Sequence, residues 1–382
     1  LGSQVEQGRQ PIKITNHIVF FMKSCLILSF LLSVLLISCS DKKKLIVDPS
    51  DPAIEYSGRI NRSSEESVGL NWPGSSIKIN FKGASIAVLL QDESGENYYN
   101  VILDNDSIFI LRPQTIKQYQ VLASNLSKGP HTIELFRRTE WDRGPTDFYG
   151  FKVDTNAKLL AKSPPKKRKI EFYGDSITAG FAVEDTSGKD RYDSIYSNNY
   201  ASYAAITSRH FDADYHCVCK SGIGITVSWD PLIMPEVYDR LVPTDSTSKW
   251  NFSLYQPQVV VVNLFQNDSG LVKLPEHPEF IKRFGDKMPD EAYLINAYQE
   301  FIAGLRAHYP EANIICSLGS MDATKPGSLW PGYVQAAVDN LEDAHIYTHF
   351  MPFEESTAHP SVQQQKNMAH SLIKFIEATI DW

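Results

Sequence analysis

Lys169-Ile170-Glu171-Phe172-Tyr173-Gly174-Asp175-Ser176-Ile177-Thr178-Ala179-Gly180 is the stretch that decides the fold of this chain. Apolar residues alternate up to Gly174 and Gly180 follows, which predicts a strand, a tight turn and the start of a helix. Ser176 falls on the turn. A serine at the carboxyl edge of a sheet can act as a nucleophile, and its backbone N–H can stabilise an oxyanion. The alternative interpretation is an ordinary helix N-cap formed by Ser176.

Downstream of this stretch, strand-like runs alternate with helical patterns. The run 258–264 is continuously apolar, which is typical of a strand buried on both faces. The other predicted strands are 214–220 and 313–318, and the predicted helices are 200–211, 291–308, 333–341 and 363–380. This alternation predicts an α/β domain with a mostly parallel sheet, and ligands are expected at the carboxyl ends of its strands.

Upstream of the stretch, the pattern consists of short alternating segments separated by turn residues. The predicted strands are 77–81, 85–90, 98–103, 107–110 and 131–136. They predict a β-sandwich, of the jelly-roll type, over residues 53–160. Residues 161–169 combine Ser163-Pro164-Pro165 with four basic residues and predict a linker, so the α/β domain covers 170–382.

The beginning of the chain predicts export. Met22 and Lys23 precede an apolar run over 25–37, as in a secretory signal peptide over 22–38, and the run is too short for a comfortable membrane span. Leu36-Ile37-Ser38-Cys39 resembles a bacterial lipobox, which implies secretion across the inner membrane, a lipid anchor on Cys39 at the cell envelope, and a tether over 39–52. The alternative is a plain signal peptide with an incidental Cys39. Residues 1–21 lack an initiator methionine and are interpreted as an upstream or expression-derived extension outside the fold.

The composition limits the classes of function. The 382 residues are 42% hydrophobic and 21% charged, which predicts a globular protein with a substantial core. The net charge of −8 argues against nucleic acid as a partner. Cys217, Cys219 and Cys316 form neither a disulfide framework nor a zinc spacing, so no metal is expected and buried small hydrophobes are the preferred interpretation. Cys217 and Cys219 are expected to face opposite sides of a strand.

Three further segments supply groups for the chemistry of Ser176. Gly222 follows the second strand and allows a backbone N–H to approach a bound oxygen, and Asn267 follows the third and can donate from its amide. Together with the Ser176 N–H they predict an oxyanion hole. His359, before the last helix, is the predicted base for the Ser176 hydroxyl. Taken alone, Gly222 is typical of a turn, Asn267 of a loop cap and His359 of a structural histidine.

The four blocks together resemble the GDSL or SGNH family of serine esterases. The matching residues are Gly174-Asp175-Ser176-Ile177-Thr178, Gly222, Asn267-Asp268 and His359-Pro360-Ser361. The resemblance implies a three-layer, flavodoxin-like domain. With the β-sandwich ahead of it, carrying Asn71-Trp72-Pro73-Gly74-Ser75 and Arg137-Arg138-Thr139-Glu140, the chain looks like the second family of carbohydrate esterases. That family deacetylates plant polysaccharides such as xylan and glucomannan, which implies Ser–His catalysis through an acyl-enzyme without a cofactor.

Two positions depart from the family pattern. Phe265 stands where the third block usually opens with glycine, which implies a differently shaped loop. Ser356 stands where the usual acid precedes the histidine by three residues. The resemblance therefore favours a dyad of Ser176 and His359, with a backbone carbonyl orienting the ring, and leaves Glu355 or Glu354 as the alternative acid. Asp175 is interpreted as a structural partner of the turn.

Substrate binding leaves several interpretations open. Trp229, Trp250 and Trp330 lie in or near loops and are candidates for a sugar-stacking platform, although packing is the alternative for each. The β-sandwich is either a carbohydrate-binding module or a wall of the cleft. A lipase-like or thioesterase-like hydrolase is a second candidate function. A third is a non-catalytic glycan-binding lipoprotein in which Ser356 marks a lost acid.

Overall fold

A computed structural model describes residues 44–382 together with residue 2. An antiparallel β domain is followed by a domain with a parallel sheet, so the predicted fold class is confirmed. The predicted signal peptide over 22–38 and Cys39 lie outside the described residues. Within the described part of the chain, no helix has the length and apolarity needed to cross a membrane.

The β domain consists of two six-stranded sheets that share one apolar core. One sheet contains β1 (Lys44–Val47), β3 (Ile60–Asn61), β4 (Val68–Leu70), β6 (Ile86–Asp92), β9 (Gln118–Ala123) and β11 (Thr146–Asp154). The other contains β2 (Ile54–Ser57), β5 (Ser76–Lys82), β7 (Tyr99–Leu103), β8 (Ser107–Leu111), β10 (Pro130–Arg137) and β12 (Lys158–Leu159). Alternate residues of β5, Ile77, Ile79 and Phe81, are buried between the sheets, as the period of a half-buried strand requires.

The predicted tether over 39–52 is wrong for residues 44–47. These residues form β1, which pairs with β11, and the side chain of Val47 is buried in the shared core. The run Leu45-Ile46-Val47 is apolar and contains two β-branched residues, which favours a strand. The predicted linker is likewise shorter than expected, because β13 (Arg168–Gly174) already begins within it.

The second domain is built on a five-stranded parallel sheet. Its strands are β13, β14 (Ala213–Cys219), β15 (Val259–Asn263), β16 (Asn313–Leu318) and β17 (Ile346–Phe350), in the order β14-β13-β15-β16-β17. Gly174 at the end of β13 lies opposite Cys219 of β14 and Asn263 of β15. The three strands therefore end at the same level, and the loops that follow them meet at one edge.

Helices cover both faces of the parallel sheet and make three layers. They are α1 (Ser176–Ala179), α2 (Tyr203–His210), α3 (Met234–Val237), α4 (Gln266–Leu271), α5 (Pro278–Phe284), α6 (Glu291–His308), α7 (Trp330–Asp339) and α8 (Val362–Thr379). The buried residues of α2 and α8 pack on one face, and those of α6 and α7 pack on the other. The apolar stripe of each long helix thus faces the sheet.

The expectation that Cys217 and Cys219 face opposite sides of their strand is wrong. Residues two apart on a strand share a face, and in β14 the two Sγ atoms lie 3.1 Å apart. Both are buried free thiols, as is Cys316. They contribute to the cores on the two faces of the parallel sheet, in keeping with the interpretation as small hydrophobes.

Arg59 joins the two domains through a buried ion pair. Its guanidinium extends from the β domain to the α/β domain, where it donates to Glu171 at 3.1 Å and to the hydroxyl of Tyr173 at 2.9 Å. Tyr309 also donates to Glu171. Burial would raise the pKa of Glu171, but the charge of Arg59, the neighbouring His216 and the Tyr309 hydrogen bond outweigh it and lower the pKa to about 2. The carboxylate is therefore ionised in the folded protein.

Replacing Arg59 with methionine is expected to lower the free energy of unfolding by about 3–5 kcal/mol, because Glu171 would stay buried without its cation. The double variant Arg59→Met/Glu171→Gln is expected to recover part of this loss. Because the folded pKa lies below the unfolded one, the ionised Glu171 stabilises the protein above about pH 4, and this contribution disappears as the pH falls towards 2. Denaturant titrations at pH 7 and across the acid range measure both effects.

The control for this prediction is Arg112→Met, which removes an ion pair with Glu96 in which both side chains are 48% exposed. A loss below about 1 kcal/mol is expected there. Equal losses for Arg59→Met and Arg112→Met would contradict a special role for the buried pair.

Candidate active site

Asp175, not Ser176, caps the turn after β13. The Asp175 carboxylate accepts the N–H of Ile177 at 3.0 Å, and this leaves the Ser176 hydroxyl outside the capping interaction. Gly180 ends α1 with a φ of 72°, a conformation that favours glycine. The N-cap interpretation of Ser176 is therefore wrong, whereas the structural interpretation of Asp175 agrees with this contact. Burial raises the pKa of Asp175 to about 7.

The Ser176 hydroxyl contacts the imidazole of His359. Oγ lies 2.8 Å from Nε2, although the two residues are 183 positions apart in the sequence. Asp190 lies on the other side of the ring, with Oδ2 2.8 Å from Nδ1. An ionised carboxylate can only accept, so Nδ1 carries the proton and Nε2 is left as the acceptor for the serine. Serine, histidine and aspartate thus form a continuous relay.

Asp190 is the residue that sequence reasoning missed. The resemblance favours a dyad oriented by a backbone carbonyl, with Glu355 or Glu354 as the alternative acid. In the structure Asp190 contacts the ring instead, Glu355 is exposed, and the Ser356 hydroxyl accepts the N–H of Ala358. Asp190 also accepts the backbone N–H of His359, at 2.9 Å and 3.1 Å for its two oxygens. It lies in a polar loop 169 positions before the histidine. No spacing rule within the histidine block could have found it.

The electrostatics of Asp190 suit an acid that stays ionised. Burial would raise its pKa, but the hydrogen bonds from His359 and the charge of the ring lower the pKa below its usual range. Its side chain is 28% exposed, compared with 22% for His359. Asp190 has a φ of 53°, a left-handed conformation that aspartate tolerates better than most residues. Its negative charge can therefore orient the ring and stabilise an imidazolium.

Gly222 and Ser176 supply two backbone N–H groups at the edge of the sheet. Among the hydrogen bonds of the described residues, neither N–H has a protein acceptor. Gly222 has a φ of 79°, and an added Cβ would lie 3.2 Å from Cβ of Trp229. Asp268 holds the neighbouring part of the loop by accepting the N–H groups of residues 225–227. Both N–H groups are therefore available for an oxyanion.

Asn267 also lies at this edge, but its amide is already engaged. Its Nδ2 donates to the Ile223 carbonyl at 2.9 Å and lies 3.3 Å from the Asp175 carboxylate. Its Oδ1 accepts from Trp229 Nε1 at 3.1 Å, and because that indole nitrogen can only donate, the orientation of the amide is fixed. Donation from Asn267 to an oxyanion would replace one of these contacts.

Only one of the three candidate tryptophans contacts this group of residues. Trp229 is 46% exposed, beside Asn267 and edge-on to His277. Trp330 is only 7% exposed and packs against the ring of Phe265, so the prediction of a sugar platform is wrong for Trp330. Trp250 packs on the Arg59 guanidinium in the domain interface, where no contact joins it to Ser176, Gly222, Asn267 or His359 among the described residues.

Phe265 keeps the backbone conformation that glycine would adopt. Its φ is 89°, which costs about 1–3 kcal/mol for a residue with a side chain. Its ring is fully buried and packs on Tyr298 and Trp330, and burial of such a ring is worth more than the strain. The turn in this chain therefore combines a glycine-like φ with an added aromatic anchor, and a difference from loops that carry glycine stays a prediction.

Replacing Gly222 with alanine is expected to reduce the turnover number by about 100-fold, the scale of losing one oxyanion donor. The left-handed φ and the contact with Trp229 would both displace the N–H. Steady-state kinetics on an aryl acetate measures the effect. Gly327→Ala is the control, because Gly327 has a φ of 87° in an exposed loop with open space around it. Unchanged turnover in Gly222→Ala would show that the N–H of Gly222 has no part in the chemistry.

Comparison with known proteins identifies the family of this chain. Residues 56–165 match the family described as "Carbohydrate esterase 2 N-terminal". The cellulase/esterase CelE of Acetivibrio thermocellus is 32% identical over 346 residues, which cover 88% of this chain and 40% of that protein. An acetylxylan esterase/glucomannan deacetylase of Cellvibrio japonicus is 26% identical over 364 residues, covering 92% of this chain and 97% of the relative.

A solved structure that this chain matches over almost its full length belongs to the same family of esterases. It is a family two carbohydrate esterase from Clostridium thermocellum in complex with cellohexaose, with 33% identity and a TM-score of 0.75, covering 85% of this chain and 98% of that one. The fold and these relatives define a carboxylic-ester hydrolase with an SGNH-like domain. The chain belongs to family two of the carbohydrate esterases.

Proposed function

We propose that this chain removes acetyl groups from plant polysaccharides of the xylan or glucomannan type, through an acyl-enzyme on Ser176. The observation that carries the proposal is the relay of two 2.8 Å contacts, from Ser176 to His359 and from His359 to Asp190. The names of the relatives from Cellvibrio japonicus support the substrate class.

The relay supports a two-step transfer. Oγ of Ser176 attacks the acetyl carbonyl carbon while Nε2 of His359 accepts the hydroxyl proton, and the N–H groups of Ser176 and Gly222 stabilise the charge on the carbonyl oxygen. The bond to the sugar oxygen then breaks, and that oxygen takes the proton from Nε2. In the second step water gives a proton to Nε2 and attacks the acyl-serine. Acetic acid, which keeps the second proton of the water, leaves as Oγ takes the first proton from Nε2, and it then ionises to acetate in solution.

Asn267 completes the oxyanion hole in this proposal. Its contact with Asp175, at 3.3 Å, is longer than that with Ile223, at 2.9 Å. The longer contact is the one that a developing oxyanion would replace, because a charged acceptor forms the stronger hydrogen bond. Asp175, whose pKa is about 7 because of burial, then keeps its capping bond to Ile177.

Trp229 provides the proposed contact for the sugar. It is half-exposed and bonded to Asn267, so a pyranose stacked on it would lie beside the oxyanion donors. Indole faces pack well against the apolar faces of sugars. The structure of the Clostridium thermocellum relative with cellohexaose supports the recognition of a glycan by this family.

The test is acetate release by residues 40–382 from acetylated xylan and acetylated glucomannan, with 4-nitrophenyl acetate, butyrate and octanoate beside them. We expect release from at least one polysaccharide and aryl ester rates that fall as the acyl chain lengthens. Chemically deacetylated xylan is the matched control and should release nothing. Rates that rise with chain length would favour a lipase-like or thioesterase-like enzyme. Binding of polysaccharide without any release of acetate would favour a glycan-binding protein. That alternative was suggested by the missing acid at position 356, and Asp190 now lies where the acid is needed.

We also propose that Cys39 carries a lipid that anchors the enzyme at the bacterial cell envelope. The support is the lipobox-like Leu36-Ile37-Ser38-Cys39. Expression of the whole chain in a bacterium, followed by detergent phase partitioning, should place it in the detergent phase. Cys39→Ala should move it to the aqueous phase. An unchanged distribution would show that Cys39 is not the anchor.

A further inference from the structure

Two charged side chains of the β domain are buried against the loops of the candidate active site. Arg138 and Glu140 follow β10, and they are 2% and 5% exposed. Charged groups are rarely buried this deeply unless they have partners. All the side-chain partners of Glu140, and most of those of Arg138, belong to the α/β domain.

Glu140 holds the loop that carries Gly222. Its carboxylate accepts both the backbone N–H and the hydroxyl of Ser221, the latter at 2.6 Å. The Ser221 carbonyl accepts from Lys220 Nζ at 3.0 Å. That carbonyl and the Gly222 N–H belong to one planar peptide group, so the direction of this N–H is fixed by its neighbours. Glu140 and Lys220 thus fix the backbone on both sides of Ser221.

Arg138 holds the loop that carries Asp190. Its Nη2 donates to the Glu184 carboxylate at 2.5 Å and to the Ile195 carbonyl at 2.8 Å, and its Nε donates to the Ser197 carbonyl at 3.2 Å. One planar guanidinium therefore ties together the two ends of a loop, and Asp190 lies between them.

The tip of the same loop is closed locally. Arg191 donates through Nε and Nη2 to Asp185, at 2.9 Å and 2.7 Å. Asp185 and Arg191 lie on either side of Asp190 in the sequence. Their ion pair closes the tip of the loop but does not attach the loop to the rest of the protein. Arg138 attaches the loop through Glu184 on one side and the 195–197 carbonyls on the other. Arg143 of the β domain adds a contact at the tip, where it donates to the Tyr192 carbonyl at 3.4 Å.

We propose that Arg138 and Glu140 are positioning residues for catalysis, which place the acid loop and the oxyanion loop from the β domain. This inference rests on the proposed function and adds a third role for the β-sandwich beside a binding module or a wall. Active-site groups must be held within about 0.5 Å of their productive geometry, and a misplacement of about 1 Å can cost about 100-fold in rate. The β domain is thus part of the catalytic apparatus.

Glu140→Gln and Ser221→Ala test the first contact. Each is expected to lower the turnover number for 4-nitrophenyl acetate by about 10- to 100-fold, with a smaller change in KM, because the oxyanion donor acts in the transition state. The double variant should fall no further than the more impaired single variant, because Ser221→Ala removes one of the two hydrogen bonds that Glu140→Gln weakens. Glu96→Gln is the control, because it neutralises an exposed glutamate of the same domain.

Arg138→Lys tests the second contact. Lysine keeps the charge but cannot bond Glu184, Ile195 and Ser197 together. In the free enzyme, the proton shared by His359 Nδ1 and Asp190 should give a downfield proton NMR resonance, which Arg138→Lys is expected to broaden or shift. Glu140→Gln should leave this resonance in place, and Arg112→Lys is the exposed control.

The outcomes separate the inference from the proposed function. Wild-type turnover in both Glu140→Gln and Ser221→Ala would overturn the inference, as would a change confined to KM or an unaltered resonance in Arg138→Lys. If Glu140→Gln does not fold, Ser221→Ala decides, because it leaves the buried carboxylate in place. A folded wild type without acetate release would refute the proposed function, and the resonance would still report whether Arg138 positions Asp190.

Discussion

Ser176→Ala is expected to lower the turnover number for 4-nitrophenyl acetate by about 10⁵- to 10⁶-fold, the scale found when a serine hydrolase loses its nucleophile. The hydroxyl is the only group that contacts Nε2 of His359, at 2.8 Å, among the described residues. His359→Ala should cost about as much, because the serine hydroxyl is a weak nucleophile without its base. The double variant should fall no further, since the two residues act as a unit.

The control is Ser107→Ala, which changes an exposed serine on β8 and should leave the kinetics unchanged. Full progress curves at high enzyme concentration are needed to measure the residual rate. A double variant that falls far below both single variants would contradict the assignment, because it would mean that Ser176 and His359 act independently.

Asp190→Asn is expected to lower the turnover number by about 10³-fold. An asparagine amide can donate to Nδ1 of His359, which would place the imidazole proton on Nε2 and remove the acceptor for Ser176. The loss should be smaller than the roughly 10⁴-fold seen for a fully buried triad aspartate, because the Asp190 side chain is 28% exposed. Steady-state kinetics from pH 5 to pH 9 measures it.

Glu355→Gln and Ser356→Ala are the matched controls for Asp190. Glu355 is the alternative acid and Ser356 occupies the position where the family usually has its acid, and neither contacts the imidazole in the structure. They should retain wild-type turnover within about twofold. If Asp190→Asn were as active as wild type while Glu355→Gln lost activity, the relay described for the folded protein would be wrong.

The fold could be predicted to a large extent because its signals are local. The strand at 313–318 and the helix at 291–308 agree with β16 and α6 to the residue, since an apolar run and a 3.6-residue period mark them clearly. β17 was missed because Ile346-Tyr347-Thr348-His349-Phe350 alternates only weakly and lies at a sheet edge. β1 was missed because its short apolar run lies within charged residues.

The sequence predicts those site residues that lie next to a predicted strand or helix of the parallel sheet. Ser176, Gly222, Asn267 and His359 each follow a strand or precede a helix of the parallel sheet, so the topology brings them to one edge. Asp190 has no such relation to a strand. Its pairing with His359 requires a long loop to fold back, and Arg138 of another domain bonds to Glu184 in that loop. No local pattern encodes either contact.

The origin of the acid has an evolutionary consequence. A carboxylate that reaches the imidazole from the loop after α1 frees position 356 to drift, so a serine there is compatible with a competent enzyme. Relatives that lack an acid before their histidine should therefore be searched for an aspartate in the loop after the nucleophile before they are classed as pseudoenzymes. In this architecture the acid is defined by the direction from which it meets Nδ1, and its distance from the histidine in the sequence does not matter.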